Sequence, residues 1–244
     1  MAANKNRIKE LSEILQFRVI ANKEFNWRDI PTGSLDFLEF ILEKEFEFRK
    51  QNTILRNIRL ACLPKKHKNF DVKKLHEGVR YQTAQLEKCK WIEEDFNLFI
   101  TGAVGTGKTA LAVHLTNAAL EQGFKAYYIT MENLLAVLHN KETERARLLL
   151  SRVRKADILV LDEFLDVKTN NQEITPMYRF LNSLRDSTSI VFISIRSIQE
   201  CFEASEDNSE MLNLLMTRAF SKAEVIKLPD KPLIQNLKTL ASKT

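Results

Sequence analysis

The sequence predicts an α/β fold: a parallel sheet of five strands, covered by helices on both faces and preceded by a small helical module. Three observations predict it. Between residues 97 and 228, short apolar runs rich in β-branched residues alternate with helix-forming runs. The first of these runs opens directly into Gly102-Ala-Val-Gly-Thr-Gly-Lys108-Thr109, which fits the phosphate-loop spacing G-x-x-x-x-G-K-[ST]. Another, Asp157-Ile-Leu-Val-Leu161, ends on the acid pair Asp162-Glu163.

The 244 residues suffice for one large domain, or one domain with an appendage. No window approaches 18 apolar residues, so no membrane partner is expected. The amino terminus leads into a polar amphipathic stretch and has no apolar signal core. Cys62, Cys89 and Cys201 lie far apart and form no C-x-x-C pair, which argues against a disulfide frame and a zinc site. A reduced, cytoplasmic protein is expected.

In chain order, residues 1–64 read as the helical module. Ile8, Leu11, Ile14, Leu15 and Val19 recur at spacings of three and four, one apolar stripe of a helix. Pro31-Thr-Gly-Ser34 breaks the chain, and Ser34 is placed to cap a second helix. That helix carries Leu35, Leu38, Ile41, Leu42 and Phe46, continues toward Leu60 and stops before Pro64. Such a module either packs on the main domain or serves as a docking or DNA-contacting appendage. Residues 65–95 form a basic connection with a helical pattern from Val79 to Trp91.

Residues 96–244 make the nucleotide domain. Its strands are Asn97–Thr101, Ala126–Thr130, Asp157–Leu161, Ser189–Ser194 and Glu224–Leu228. Helices are expected over Ala110–Leu120, closed by Gly123, then over Glu132–His139 and residues 143–155. The last of these is basic and faces DNA, a neighbouring subunit or solvent. Only about a dozen residues follow Pro232, too few for a C-terminal lid domain.

The chemistry follows from residue types. Glycine lets a backbone come close to a ligand, and the N-terminus of the next helix adds attraction for an anion. Gly102, Ala103, Val104, Gly105, Thr106, Gly107, Lys108, Thr109 and Ala110 are therefore the candidate nucleotide contacts. Lys108 would reach the phosphates, while Thr109 and Asp162 would hold Mg²⁺. Glu163 is the natural group to polarise a water for attack on the γ-phosphate. Together these make a nucleoside triphosphate the expected ligand and hydrolysis of its γ-phosphate the expected reaction. Residues 49–74 hold nine Lys or Arg against one acid, Asp71. Arg56, Arg59, Lys65, Lys66 and Lys68 in that block are candidate DNA contacts.

The G-x-x-G-x-G-K-T loop at 102–109, the strand ending Leu161-Asp-Glu163 and Leu215-Met-Thr-Arg218 resemble the IstB/DnaC group of AAA+ ATPases, most of all the IstB-type helper ATPases of bacterial insertion sequences. Phe37-Leu-Glu-Phe-Ile-Leu-Glu, Arg59-Leu-Ala-Cys-Leu-Pro64, Asn69-Phe-Asp71 and Trp91-Ile-Glu resemble the segments that precede the loop in that group. The resemblance implies an AAA+ ATPase that forms a homo-oligomer on DNA with ATP and directs a transposase. Its relatives also imply a replicative helicase loader as the alternative. It further implies that Arg218 completes a neighbour's site as a catalytic arginine. Strand four of this group usually ends on a sensor Asn. Here that position is Ile195, which leaves Ser194 or Arg196 as sensor, or else a scaffold that binds ATP with little hydrolysis.

Overall fold

The computed structural model describes residues 34–67, 70–167, 169–184, 188–203 and 210–229, with scattered positions between 13 and 26; for residues 34–40, 42 and 43 it describes the main chain alone. The stripe expected over residues 5–22, Lys68 and the segment after Pro229 lie outside these residues. The chain divides into two compact units, Met1–Arg56 and Asn57–Thr244.

Helix α1 (Ser34–Leu60) begins at Ser34 itself, the residue expected to cap it. Within the first unit Ile41 is buried and Phe46 is 70% exposed, so the apolar stripe is not covered along its whole length. In the second unit Asn57 and Ala61 are buried, and Asn57 Nδ2 donates to the carbonyls of Gly123 and Phe124.

Two 3-10 turns, Lys65–His67 and Val72–Lys74, follow α1. The helix expected from Val79 to Trp91 is two pieces, α2 (Glu77–Leu86) and α3 (Lys90–Glu93). The break is at Cys89, whose φ of 60° is left-handed, and the Trp91 indole N–H turns back onto the Leu86 carbonyl at 3.0 Å.

Then come β1 (Asn97–Thr101), α4 (Lys108–Glu121), β2 (Ala126–Thr130), α5 (Met131–His139), α6 (Glu144–Arg154), β3 (Ile158–Asp162) and α7 (Asn171–Asn182). The order ends with β4 (Ser189–Ser194), α8 (Ile198–Phe202), α9 (Glu210–Phe220) and β5 (Ala223–Lys227). Helices α8 and α9 were not expected, and neither was α7. Pro176 sits inside it and removes one helical donor, but Asn170 and Glu173 close a full capping box at its start.

The five strands lie in the order β2-β3-β4-β1-β5, every pair parallel. Strand residues alternate between two cores, as the two-residue period of a strand requires. Leu98, Ile100, Val160, Val191 and Ile226 pack with Leu111 and Leu115 of α4 and with Trp91. Phe99, Leu159, Leu161 and Phe192 pack on the other side with residues of α5, α6, α7 and α9. Phosphate loop and acid pair therefore emerge at the same sheet edge, from β1 and β3 with β4 between them. Ligands of open α/β sheets bind at that carboxyl edge. Among the described residues, no helix is long and apolar enough to cross a membrane.

Candidate nucleotide site

The loop leaves β1 through Gly102, with φ of 149°, and a Cβ there would stand 2.9 Å from the Leu228 carbonyl oxygen. That carbonyl belongs to the residue whose N–H donates to Thr101 at 2.8 Å, so β5 holds the loop's start from the side. Gly102→Ala is expected to lower folding stability by about 1–3 kcal/mol, read as a drop in the unfolding midpoint. An unchanged midpoint would mean that loop and Leu228 part without cost. Gly105 and Gly107 also have positive φ, 80° and 95°, and Gly107 turns the loop into α4.

Lys108 is buried, and its Nζ donates to the carbonyls of Gly102 and Ala103, both at 2.8 Å. Burial lowers its pKa, while Asp166 and Asp162 oppose that shift. The ammonium thus spans its own loop across the hollow that a phosphate anion would fill. Thr106 braces the same turn by donating to the Ala103 carbonyl at 2.9 Å. Val104, at the tip, is exposed.

Asp162 ends β3 with a fully partnered carboxylate. Its Oδ2 accepts the Thr109 hydroxyl at 2.9 Å and the Tyr128 hydroxyl at 2.6 Å, and its Oδ1 accepts the Glu163 N–H at 2.9 Å. The sequence-predicted pair Thr109 and Asp162 is therefore in direct contact. Two hard oxygen donors fit a small divalent cation that takes its remaining ligands from phosphate and water. Among the described residues no group of three His, Cys, Asp or Glu could hold a metal on its own.

Glu163 is exposed, with a left-handed φ of 59°. Such a backbone costs about 1–3 kcal/mol in a residue with a side chain, and residues of this kind cluster at functional sites. Its pKa is raised, first by partial desolvation and then by the charges of Asp162 and Asp166.

At the end of β4, Ser194 is fully buried and its hydroxyl donates to Asp166 Oδ1 at 2.7 Å. The same oxygen accepts the Ile195 N–H at 2.9 Å. Arg196 donates from Nη2 to the Asp166 carbonyl at 3.2 Å, its carbonyl accepts the Thr101 hydroxyl at 2.6 Å, and its buried Nε has no partner among the described residues.

A cleft of about 510 Å³ opens over the loop, between Gly105, Gly107, Lys108 and Thr109 on one side and Lys66, His67, Phe70 and Lys74 on the other. Lys66 thus lies on the nucleotide side of the basic block, whereas Arg56, Arg59 and Lys65 are simply exposed. Burial and Lys66 lower the His67 pKa, with Asp162 opposing. Arg218 stands elsewhere. Its carbonyl, with that of Ala219, accepts from Asn97 at the start of β1, the opposite end of the sheet from the loop.

Tyr128 and Asp166 escaped the sequence reading. Both need knowledge of strand order: β2 beside β3, and β4 beside β3.

Residues 14–238 match the sequence family described as IstB-like ATP binding protein. An IS21-like insertion-sequence ATP-binding protein of Bacteroides fragilis is 27% identical over 211 residues, 85% of this chain and 80% of its own. Among solved structures, DnaI aligns with a TM-score of 0.58 at 15% identity, over 70% of this chain and 94% of that one. The DnaC helicase loader aligns with a TM-score of 0.53 at 16% identity, over 68% of this chain and all (100%) of that one. At these identities the structural likeness carries the fold alone, the five-stranded parallel α/β sheet expected from the sequence.

Proposed function

The chain belongs to the family of IstB-like ATP-binding proteins, and from that premise we propose that it is an ATPase which assembles on DNA with ATP and directs a transposase. The observation that carries the hydrolytic part is the contact between Thr109 of the phosphate loop and Asp162, with Glu163 next in sequence.

The proposed reaction is attack of water on the γ-phosphorus. An oxygen–phosphorus bond forms, the bond to the β–γ bridging oxygen breaks, and the water proton passes to the Glu163 carboxylate. Lys108 trades the Gly102 and Ala103 carbonyls for phosphate oxygens. Thr109 and Asp162 would hold Mg²⁺, which when bound supplies positive charge to the phosphates. Of the two sensor candidates, Arg196 is favoured, because its Nε has no partner among the described residues whereas the Ser194 hydroxyl is committed to Asp166. Arg218 acts on a neighbour's site.

The assembly part draws its support from the insertion-sequence relatives and from the exposed basic residues Arg56, Arg59 and Lys65. It is tested by light scattering with Mg·ATP or a non-hydrolysable analogue, with and without duplex DNA. A large complex that requires both nucleotide and duplex is expected. A chain that stays monomeric throughout would overturn oligomeric assembly. A complex formed only with a replicative helicase would favour the loader function.

A further inference from the structure

The Asp162 carboxylate has three hydrogen-bond donors, and two belong to the motifs already described: the Thr109 hydroxyl and the Glu163 N–H. The third does not. Tyr128 stands on β2, where it pairs in register with Val160 of β3. That pairing brings its phenol to the end of the neighbouring strand, where it donates to Asp162 Oδ2 at 2.6 Å. This is a short hydrogen bond from a neutral hydroxyl to an ionised oxygen, of the kind about twice as strong as a neutral pair.

The strand behind the phenol is held on both sides. On its other side β2 has no further strand among the described residues, and there the Tyr128 N–H donates to the Ala61 carbonyl at 2.8 Å. The strand is thus pinned from both sides at this residue. Tyr128 is half-buried, and burial together with the bond to Asp162 keeps its hydroxyl protonated far above the ordinary phenol range. The ring would fill the same space without its oxygen. Packing therefore accounts for an aromatic residue here but not for the hydroxyl.

We propose that Tyr128 is a positioning residue of the nucleotide site: its hydroxyl fixes the Asp162 carboxylate in the orientation in which Asp162 and Thr109 together receive a nucleotide-bound divalent cation. This rests on the reading of Thr109 and Asp162 as the cation-holding pair. Partners that orient a ligating carboxylate commonly matter by about 10–100-fold in metal affinity.

The test is the affinity of the full chain for a fluorescent, non-hydrolysable ATP analogue, measured in EDTA and again in Mg²⁺. The unaltered chain is expected to bind more tightly with Mg²⁺. Tyr128→Phe is expected to match it in EDTA and to lose about tenfold of the Mg²⁺-dependent gain. In an Asp162→Ala background, the same Tyr128→Phe change is expected to add nothing. An undiminished gain in Tyr128→Phe would overturn the inference. So would equal weakening with and without Mg²⁺, which is what loosened packing alone would produce. If the unaltered chain shows no Mg²⁺-dependent gain, the cation reading of Thr109 and Asp162 fails first and takes this inference with it.

Discussion

Glu163→Gln is expected to bind ATP as tightly as the unaltered chain and, if the proposed reaction holds, to hydrolyse it about 10²–10⁴-fold more slowly. The substitution keeps the length of the side chain and the main-chain N–H that donates to Asp162 Oδ1. It leaves Lys108, Thr109 and the glycine loop untouched, so the phosphate contacts survive. What it removes is the proposed proton acceptor. Desolvation and the neighbouring charges of Asp162 and Asp166 raise the Glu163 pKa, which makes the carboxylate a better base than a free glutamate. The exposed position leaves room for a water beside it, and the left-handed backbone shows that the chain holds this residue against its local preference. Phosphate release and fluorescent-nucleotide binding, measured on the same preparation, separate the two effects. Near-normal turnover would remove Glu163 from the role. A parallel loss of binding would show that the change had disturbed Asp162 through the shared main chain.

The parts of this site that were legible in the sequence are those whose chemistry lies in consecutive residues. A phosphate loop needs its glycines, lysine and threonine in one run, and a buried strand ending on two acids needs only seven positions. Strands β1 to β4 were legible for the same reason, since each is built on an apolar run between turn signals, whereas β5 carries Glu224 and Lys227 among its apolar residues. Helix α7 was not. Pro176 interrupts its pattern, and the capping box that starts it is built from Asn170 and Glu173, residues equally at home in a loop.

The basic block from 49 to 74 shows a different limit. As a string of charges it reads as one DNA-facing surface. In three dimensions the 3-10 turn Lys65–His67 packs on α4, and this carries Lys66, His67 and, further on, Lys74 to the wall of the nucleotide cleft. Charge counting sees how many lysines there are but not which way the chain turns. Tyr128 and Asp166 lay beyond sequence reading for a topological reason. Each acts across a strand boundary, and a parallel sheet can be assembled from the same five strands in many orders.

Arg218→Ala is expected to leave ATP binding intact and to lower turnover in the assembled state by about 10³–10⁵-fold, the range for loss of an arginine that stabilises charge on a transferring phosphoryl group. The geometry already separates this residue from its own chain's loop. Its carbonyl meets Asn97 at the first position of β1, and Gly102 follows the last. Five strand residues at about 3.3 Å each put roughly 16 Å of strand between them before the loop begins, beyond the reach of an arginine side chain. The exposure of Arg218 is intermediate, so its side chain is not locked inside its own core. A mixture of two inactive variants isolates the mechanism. Glu163→Gln chains keep Arg218 but lack the base, and Arg218→Ala chains keep the base but lack the arginine. If Arg218 serves a neighbour, mixed oligomers contain interfaces with one intact base and one intact arginine, and ATPase activity returns on mixing. If it acts within its own chain, no interface in the mixture is complete and activity stays at the level of the separate variants.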